Sequence, residues 1–192
     1  MLIIFAKYLW HNMHLIDKNF REILSTQLVS VAGGIIAGSV LAVYTENLLL
    51  IPGMLILLPG FLEMRGNISG SMASRLSSGL FLGVIHPNRI HTKLIRGNLL
   101  ASFALAVVVS LMLGLIAFFF NYLVIGVYSM KIIFIPVVAG MIANAIEIPL
   151  TFFVTLYLFR KGHDPNNIMG PFVTSTGDIT SIVSLLAAMV IL

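Results

Sequence analysis

The chain of 192 residues contains no cysteine. That excludes disulfides, thiolate metal centres and cysteine nucleophiles. Charged residues make up only 9% of it, too few to clothe a water-soluble surface. There is no Walker-type phosphate loop, so ATP hydrolysis would fall to another subunit. Neither HExxH nor GxSxG occurs, and His11, His14, His86, His91 and His163 all lie outside the apolar runs. With no nucleophile and base together in a span, the chain is not expected to be an enzyme. The opening residues form too short an apolar block for a signal peptide, and no small-residue cleavage site follows.

Apolar sequence is what the chain has in abundance. Residues of the hydrophobic class make up 59%, and long apolar runs recur from end to end. This pattern predicts an all-α polytopic membrane protein in the cell membrane, with no separate water-soluble domain. Residues 1–25 mix Leu2, Phe5, Tyr8 and Trp10 with Lys7, Asp17, Lys18, Arg21 and Glu22, and read as an amphipathic leader at the membrane surface. Residues 26–192 then read as one five-helix domain. Its spans are expected at Thr26 to Leu49, Ile51 to Gly83, Leu94 to Phe120, Lys131 to Phe159 and Pro171 to Leu192. Gly34 and Gly38 give span 1 a small-residue face for close helix contact. Span 2 is expected to be broken, because Pro52, Pro59, Gly60 and Gly66 interrupt its first half. Pro136 and Pro149 are expected to kink span 4.

The loops orient the chain. Arg89, Lys93 and Arg96 follow span 2, Arg160 and Lys161 follow span 4, and the leader carries Lys7, Lys18 and Arg21. The excess of basic residues in these segments places the N-terminus in the cytosol and the C-terminus outside. The same residues account for the net charge of +4, which points to anionic membrane lipid rather than nucleic acid.

Two polar interruptions carry the chemistry. Asp178 lies in the last apolar run behind Thr174, Ser175 and Thr176. A carboxylate at the centre of a membrane helix is unfavourable by about 2.5–3.5 kcal/mol, so it marks an ion or proton path more often than a strut. Thr174 sits one turn before it on the same face. The segment from Gly66 and Asn67 to Ser71 interrupts span 2, where Gly66 would permit a backbone break with carbonyls turned to a watery cavity. Asn67 adds a neutral oxygen, with Ser71 one turn on. The alternatives are helix packing through the Gly66/Gly70 pair, and a structural Asp178 paired with Arg75 or held by the serines. Carboxylate, hydroxyl and carbonyl oxygens are hard ligands that suit Mg²⁺ or Ca²⁺. Glu63 and Glu147 are further acids at membrane depth. Glu63 could simply pair with Arg65, and Glu147 precedes the carbonyl freed by Pro149. Either could be a secondary ligand or a proton carrier.

The run Gly66-Asn67-Ile68-Ser69-Gly70-Ser71-Met72-Ala73-Ser74-Arg75-Leu76-Ser77 resembles the MgtE magnesium channel family, and more closely its eukaryotic solute-carrier relatives. So does the run from Arg160 to Asn167, followed by Pro171 and Thr174 to Asp178. The resemblance covers roughly residues 26–192. It implies a five-helix domain working as a homodimer, with the ion path near the dimer axis. It places the family's pore asparagine at Asn67 and its pore aspartate at Asp178, with Ser71 and Thr174 on neighbouring turns. The bacterial channels carry large cytosolic sensor domains ahead of the pore, and the eukaryotic relatives carry two copies of the domain. This sequence has neither, and Glu63 and Glu147 match no family hallmark.

The leading expectation is a homodimeric channel or transporter for divalent cations, Mg²⁺ above all. The metal set is Asp178, Asn67, Ser71, Thr174, Gly66 and Glu147. The alternative is an exchanger coupled to H⁺ or Na⁺, with Glu147 as the coupling group. A scaffold without transport would leave Asp178 unexplained.

Overall fold

An apolar run in hydrocarbon has no water to satisfy its peptide groups, so it closes its hydrogen bonds on itself as a helix. A computed structural model describes the backbone of residues 2–192 and the side chains from Phe20 onward. The described chain is helical throughout: α1 (Leu2–Val43), α2 (Thr45–Leu49), α3 (Met54–Phe81), α4 (Lys93–Phe120), α5 (Lys131–Arg160) and α6 (Pro165–Ile191). A π-helical turn, Asn121–Ile125, extends α4. Among the described residues, four helices are long and apolar enough to cross a membrane: the Phe20–Val43 part of α1, α4 with its π turn, α5 and α6. The more polar α3 carries Glu63, Arg65 and Arg75, and its 28 residues reach about 42 Å at 1.5 Å per residue.

α3 is the central element. It packs on α4, α5 and α6, whereas α1 lies on the outside against α6. Leu57, Phe61, Met72 and Leu76 of α3 are fully buried, with Ile135 of α5 and Leu185 of α6. α4 and α5 approach closely through small residues. A β-carbon on Gly114 would run into the backbone of Ile133, and one on Gly140 into Ser110. The outer faces stay apolar, as at Val31 and Ile35 of α1 and Leu100 and Ile116 of α4.

The ends are fixed by polar contacts. Thr92 caps α4, its hydroxyl accepting from the Ile95 amide at 3.3 Å. Arg160 donates to the Pro87 carbonyl, so the α3–α4 and α5–α6 loops meet at one end of the bundle. At the other end Asn121 donates to the Pro52 carbonyl at 3.3 Å. There Phe118, Tyr122 and Tyr128 cluster, with the Phe118 and Tyr128 ring centres 5.5 Å apart, as aromatic rings do at a membrane interface. α1 is tied to the first end, where Glu22 accepts from Asn167 at 3.3 Å and meets His163 at 3.1 Å.

Several expectations are corrected. The break expected within span 2 lies before it: α1 ends at Val43, α2 follows, and Gly53 at φ +83° turns the chain into α3. From Met54 the helix runs unbroken through Pro59 and Gly66. Pro59 lies in the second turn, where the carbonyl that loses its partner belongs to exposed Leu55. Packing on three neighbours then holds the glycine turns in the helix. The leader and span 1 form one continuous helix rather than two elements. The amphipathic face assigned to residues 1–19 lies outside the described side chains. Gly33, rather than Gly34 and Gly38, packs on α6: its β-carbon would lie 2.6 Å from Ser175 Cβ. α6 begins at Pro165, six positions before the expected Pro171, because the Asp164 carboxylate accepts from the Asn166 amide at 2.9 Å and caps the helix.

Candidate functional site

Where α3 crosses α6, a groove of about 500 Å³ opens along the seam. α3 contributes Pro59, Glu63, Gly66, Asn67 and Gly70, on successive turns of one face. α6 contributes Gly170, Thr174 and Asp178 in the same way. A second cleft of about 320 Å³ shares Gly70 and Gly170 with the first and continues past Ser74 and Ser77 to Asn166. The two form one polar track along the seam. Its narrowest side chains are glycines: a β-carbon on Gly66 or Gly70 would meet nothing within 4 Å, so within the chain they line the track rather than pack a helix.

Four of the six expected residues meet here: Asp178, Asn67, Thr174 and Gly66. The other two do not line the groove. Ser71 donates to the Ile68 carbonyl at 3.1 Å and accepts from Arg75 at 3.3 Å. Glu147 is fully buried on α5, with its carboxylate against Thr176 and Thr180 of α6. Glu63 does not pair with Arg65; its carboxylate accepts from Asn67 Nδ2 at 3.0 Å. That contact turns the amide nitrogen of Asn67 to Glu63. Arg75 is not the partner of Asp178. It donates to Asn98 at 3.0 Å and to Ser102 at 3.2 Å, which joins α3 to α4.

The partner of Asp178 is Arg65. This guanidinium is fully buried between α3 and α6. Nε donates to Ser181 Oγ at 2.7 Å, and Nη1 to the Val173 carbonyl at 2.9 Å. Nη2 reaches Asp178 Oδ1 at 3.5 Å, and Nη1 lies 3.9 Å from Glu147 Oε2. Glu147 also accepts from Thr180 at 3.0 Å and from Thr176 at 3.4 Å. One guanidinium thus faces two carboxyl groups, and Asp178 is the one that reaches the groove: its side chain is 27% exposed where that of Glu147 is buried. Among the described residues no three His, Asp or Glu side chains gather as a metal cage. The two groove carboxylates, Asp178 and Glu63, with neutral oxygens beside them suit a cation that keeps much of its water.

Sequence reasoning missed the role of Arg65. The signal was available: an arginine at membrane depth must find a buried partner, and acids were at hand in other spans. Gly177, next to Asp178, marks the close approach.

A family model described as a divalent cation transporter, MgtE, matches residues 58–188. That stretch contains both groove-forming helix faces. Solute carrier family 41 member 2 from Homo sapiens is 26% identical over 167 residues, which is 84% of this chain and 29% of that protein. The proteins of the same name from Macaca fascicularis and Mus musculus give the same figures. The chain therefore spans under a third of the length of these relatives. No solved structure matches it. The match across both faces of the groove makes this chain a member of the MgtE family of divalent cation transporters.

Proposed function

We propose that the chain carries a divalent cation, Mg²⁺ foremost, across the cell membrane along the α3–α6 track. The observation that carries this reading is the meeting of Asp178, Asn67 and Thr174 on one polar groove inside an otherwise apolar bundle. Asp178 supplies the charge that attracts the cation. The Asn67 carbonyl and the Thr174 hydroxyl supply hard oxygens that contact its water shell. In this reading α3 is the fifth crossing, with the N-terminus cytosolic and the C-terminus outside. The loops at residues 82–92 and 161–164 share the cytosolic end with the basic residues that flank them.

The groove is open along one side, and α3 leaves Glu63, Asn67, Ser71 and Ser74 exposed there. Polar side chains facing lipid are unfavourable. A second copy of the chain would cover them and place two Asp178 carboxylates along one path. Two carboxylates favour a doubly charged ion over Na⁺ or K⁺. An uncoupled path is favoured over an exchanger because Glu147, the residue assigned to coupling, is locked against α6 by Arg65, Thr176 and Thr180.

Purified protein in proteoliposomes tests the function. Mg²⁺ entry that follows its own gradient, with no dependence on a pH or Na⁺ gradient, is the expected result. Entry that requires either gradient would establish the exchanger, and no entry of any divalent cation would refute transport.

A further inference from the structure

We infer that Arg65 is a fixed internal cation that sets how tightly Asp178 holds the transported ion. The inference rests on the transport reading above and adds the control of affinity at the same site. Its basis is the unequal way in which the guanidinium is held. Its two shortest hydrogen bonds do not involve Asp178: Nε donates to Ser181 at 2.7 Å and Nη1 to the Val173 carbonyl at 2.9 Å, with the Thr174 carbonyl at 3.5 Å and the Glu147 carboxylate at 3.9 Å as further contacts. Its link to Asp178, at 3.5 Å, is at the long limit of a hydrogen bond. Arg65 and Glu147 are both fully buried, so they form a structural pair with little freedom.

Asp178 differs. It lines the groove, is partly exposed, and has the guanidinium 3.5 Å away. It can turn towards an ion without releasing Arg65, which keeps its other anchors. Its carboxylate is therefore shared between a permanent charge on the protein and a passing one in the groove. An unopposed carboxylate at low dielectric would hold a divalent ion too strongly to let it go. Permeation needs binding strong enough for entry and weak enough for exit. A positive charge fixed within a few ångströms supplies that weakening, and it reclaims the carboxylate once the ion has left.

The alternative is that Arg65 is only a strut between α3 and α6. The double substitution R65Q/E147Q separates the two. It removes one positive and one negative charge, leaves the net charge of the cluster unchanged, and strands no lone charge in the core. Concentration-dependent Mg²⁺ uptake into vesicles is the readout. The half-saturating concentration should fall on the order of tenfold, with a lower maximal rate as release slows. A folded double variant with wild-type half-saturation would overturn the inference, since a strut affects stability and not affinity.

Ser181→Ala is a milder variant with the opposite expectation. It removes the shortest anchor, lets the guanidinium follow Asp178 and should raise the half-saturating concentration. If the double variant does not fold, this substitution decides: a rise supports the inference, and no change or a fall overturns it. The transport reading fails separately. It fails if the wild-type protein carries no divalent cation, or if Asp178→Asn carries it unchanged, and the inference falls with it. Wild-type flux that depends on Asp178 but shows neither shift would overturn the role of Arg65 alone.

Discussion

The guanidinium of Arg65 fills the volume in which a β-carbon at Gly177 would stand. The two positions are therefore matched: the buried arginine of α3 passes over α6 only where α6 has no side chain. Gly177→Ala should force the guanidinium off its anchors and destabilise the protein by at least the ~1–3 kcal/mol typical of overpacking. A clear fall in the detergent melting temperature is the expected measurement. Gly66→Ala is the control, because a β-carbon there meets nothing within 4 Å. It should melt at or above the wild-type temperature, since alanine favours a helix interior by up to about 1 kcal/mol.

Orientation can be read directly, because the chain has no native cysteine to label. The Arg160 contact with the Pro87 carbonyl puts both basic loops at one end. Single cysteines at positions 91 and 163 should react with an impermeant maleimide from the cytosolic side. A cysteine at Tyr128 should react from the outside. Labelling of positions 91 and 163 on opposite sides would break the helix order itself.

A second copy covering the groove predicts a cross-linking pattern. Cysteines at Ser71 or Ser74, on the exposed face of α3 beside the groove, should form disulfide-linked dimers in membranes under mild oxidation. A cysteine at Leu100, on the apolar outer face of α4, should not. Efficient cross-linking at position 100 with none at 71 or 74 would move the interface to α4.

Much of this was legible in the chain. The apolar runs of α4 and α5 give those helices to within a residue, because in hydrocarbon an uninterrupted apolar run has little choice but helix. That Asp178, Asn67, Gly66 and Thr174 line one groove was readable, because polar groups at membrane depth need a shared wet surface. The break near residues 44–53 was harder. Pro59 and Gly66 are stronger local signals than Tyr44 to Pro52, yet tertiary packing keeps α3 helical through them. The start of α6 was available in Asp164-Pro165, a capping residue followed by the proline that favours a first turn. The partner of Asp178 was not available. Arg65 and Arg75 are both arginines on α3, ten residues apart, and only the packing decides that one faces α6 and the other α4.

Asn67 and Asp178 share the groove, and of the two only Asp178 carries a charge. Asn67→Ala should therefore reduce Mg²⁺ flux or selectivity less completely than loss of the carboxylate.

The most direct measurement is Mg²⁺ uptake into proteoliposomes by Asp178→Asn. Asparagine is nearly isosteric with aspartate, and Arg65 keeps Ser181, Val173 and Glu147 as anchors. The variant should therefore fold, elute and melt close to wild type. The account predicts that divalent uptake is abolished or sharply reduced in this folded protein. Uptake at the wild-type rate would contradict it and place the ion path away from the α3–α6 groove.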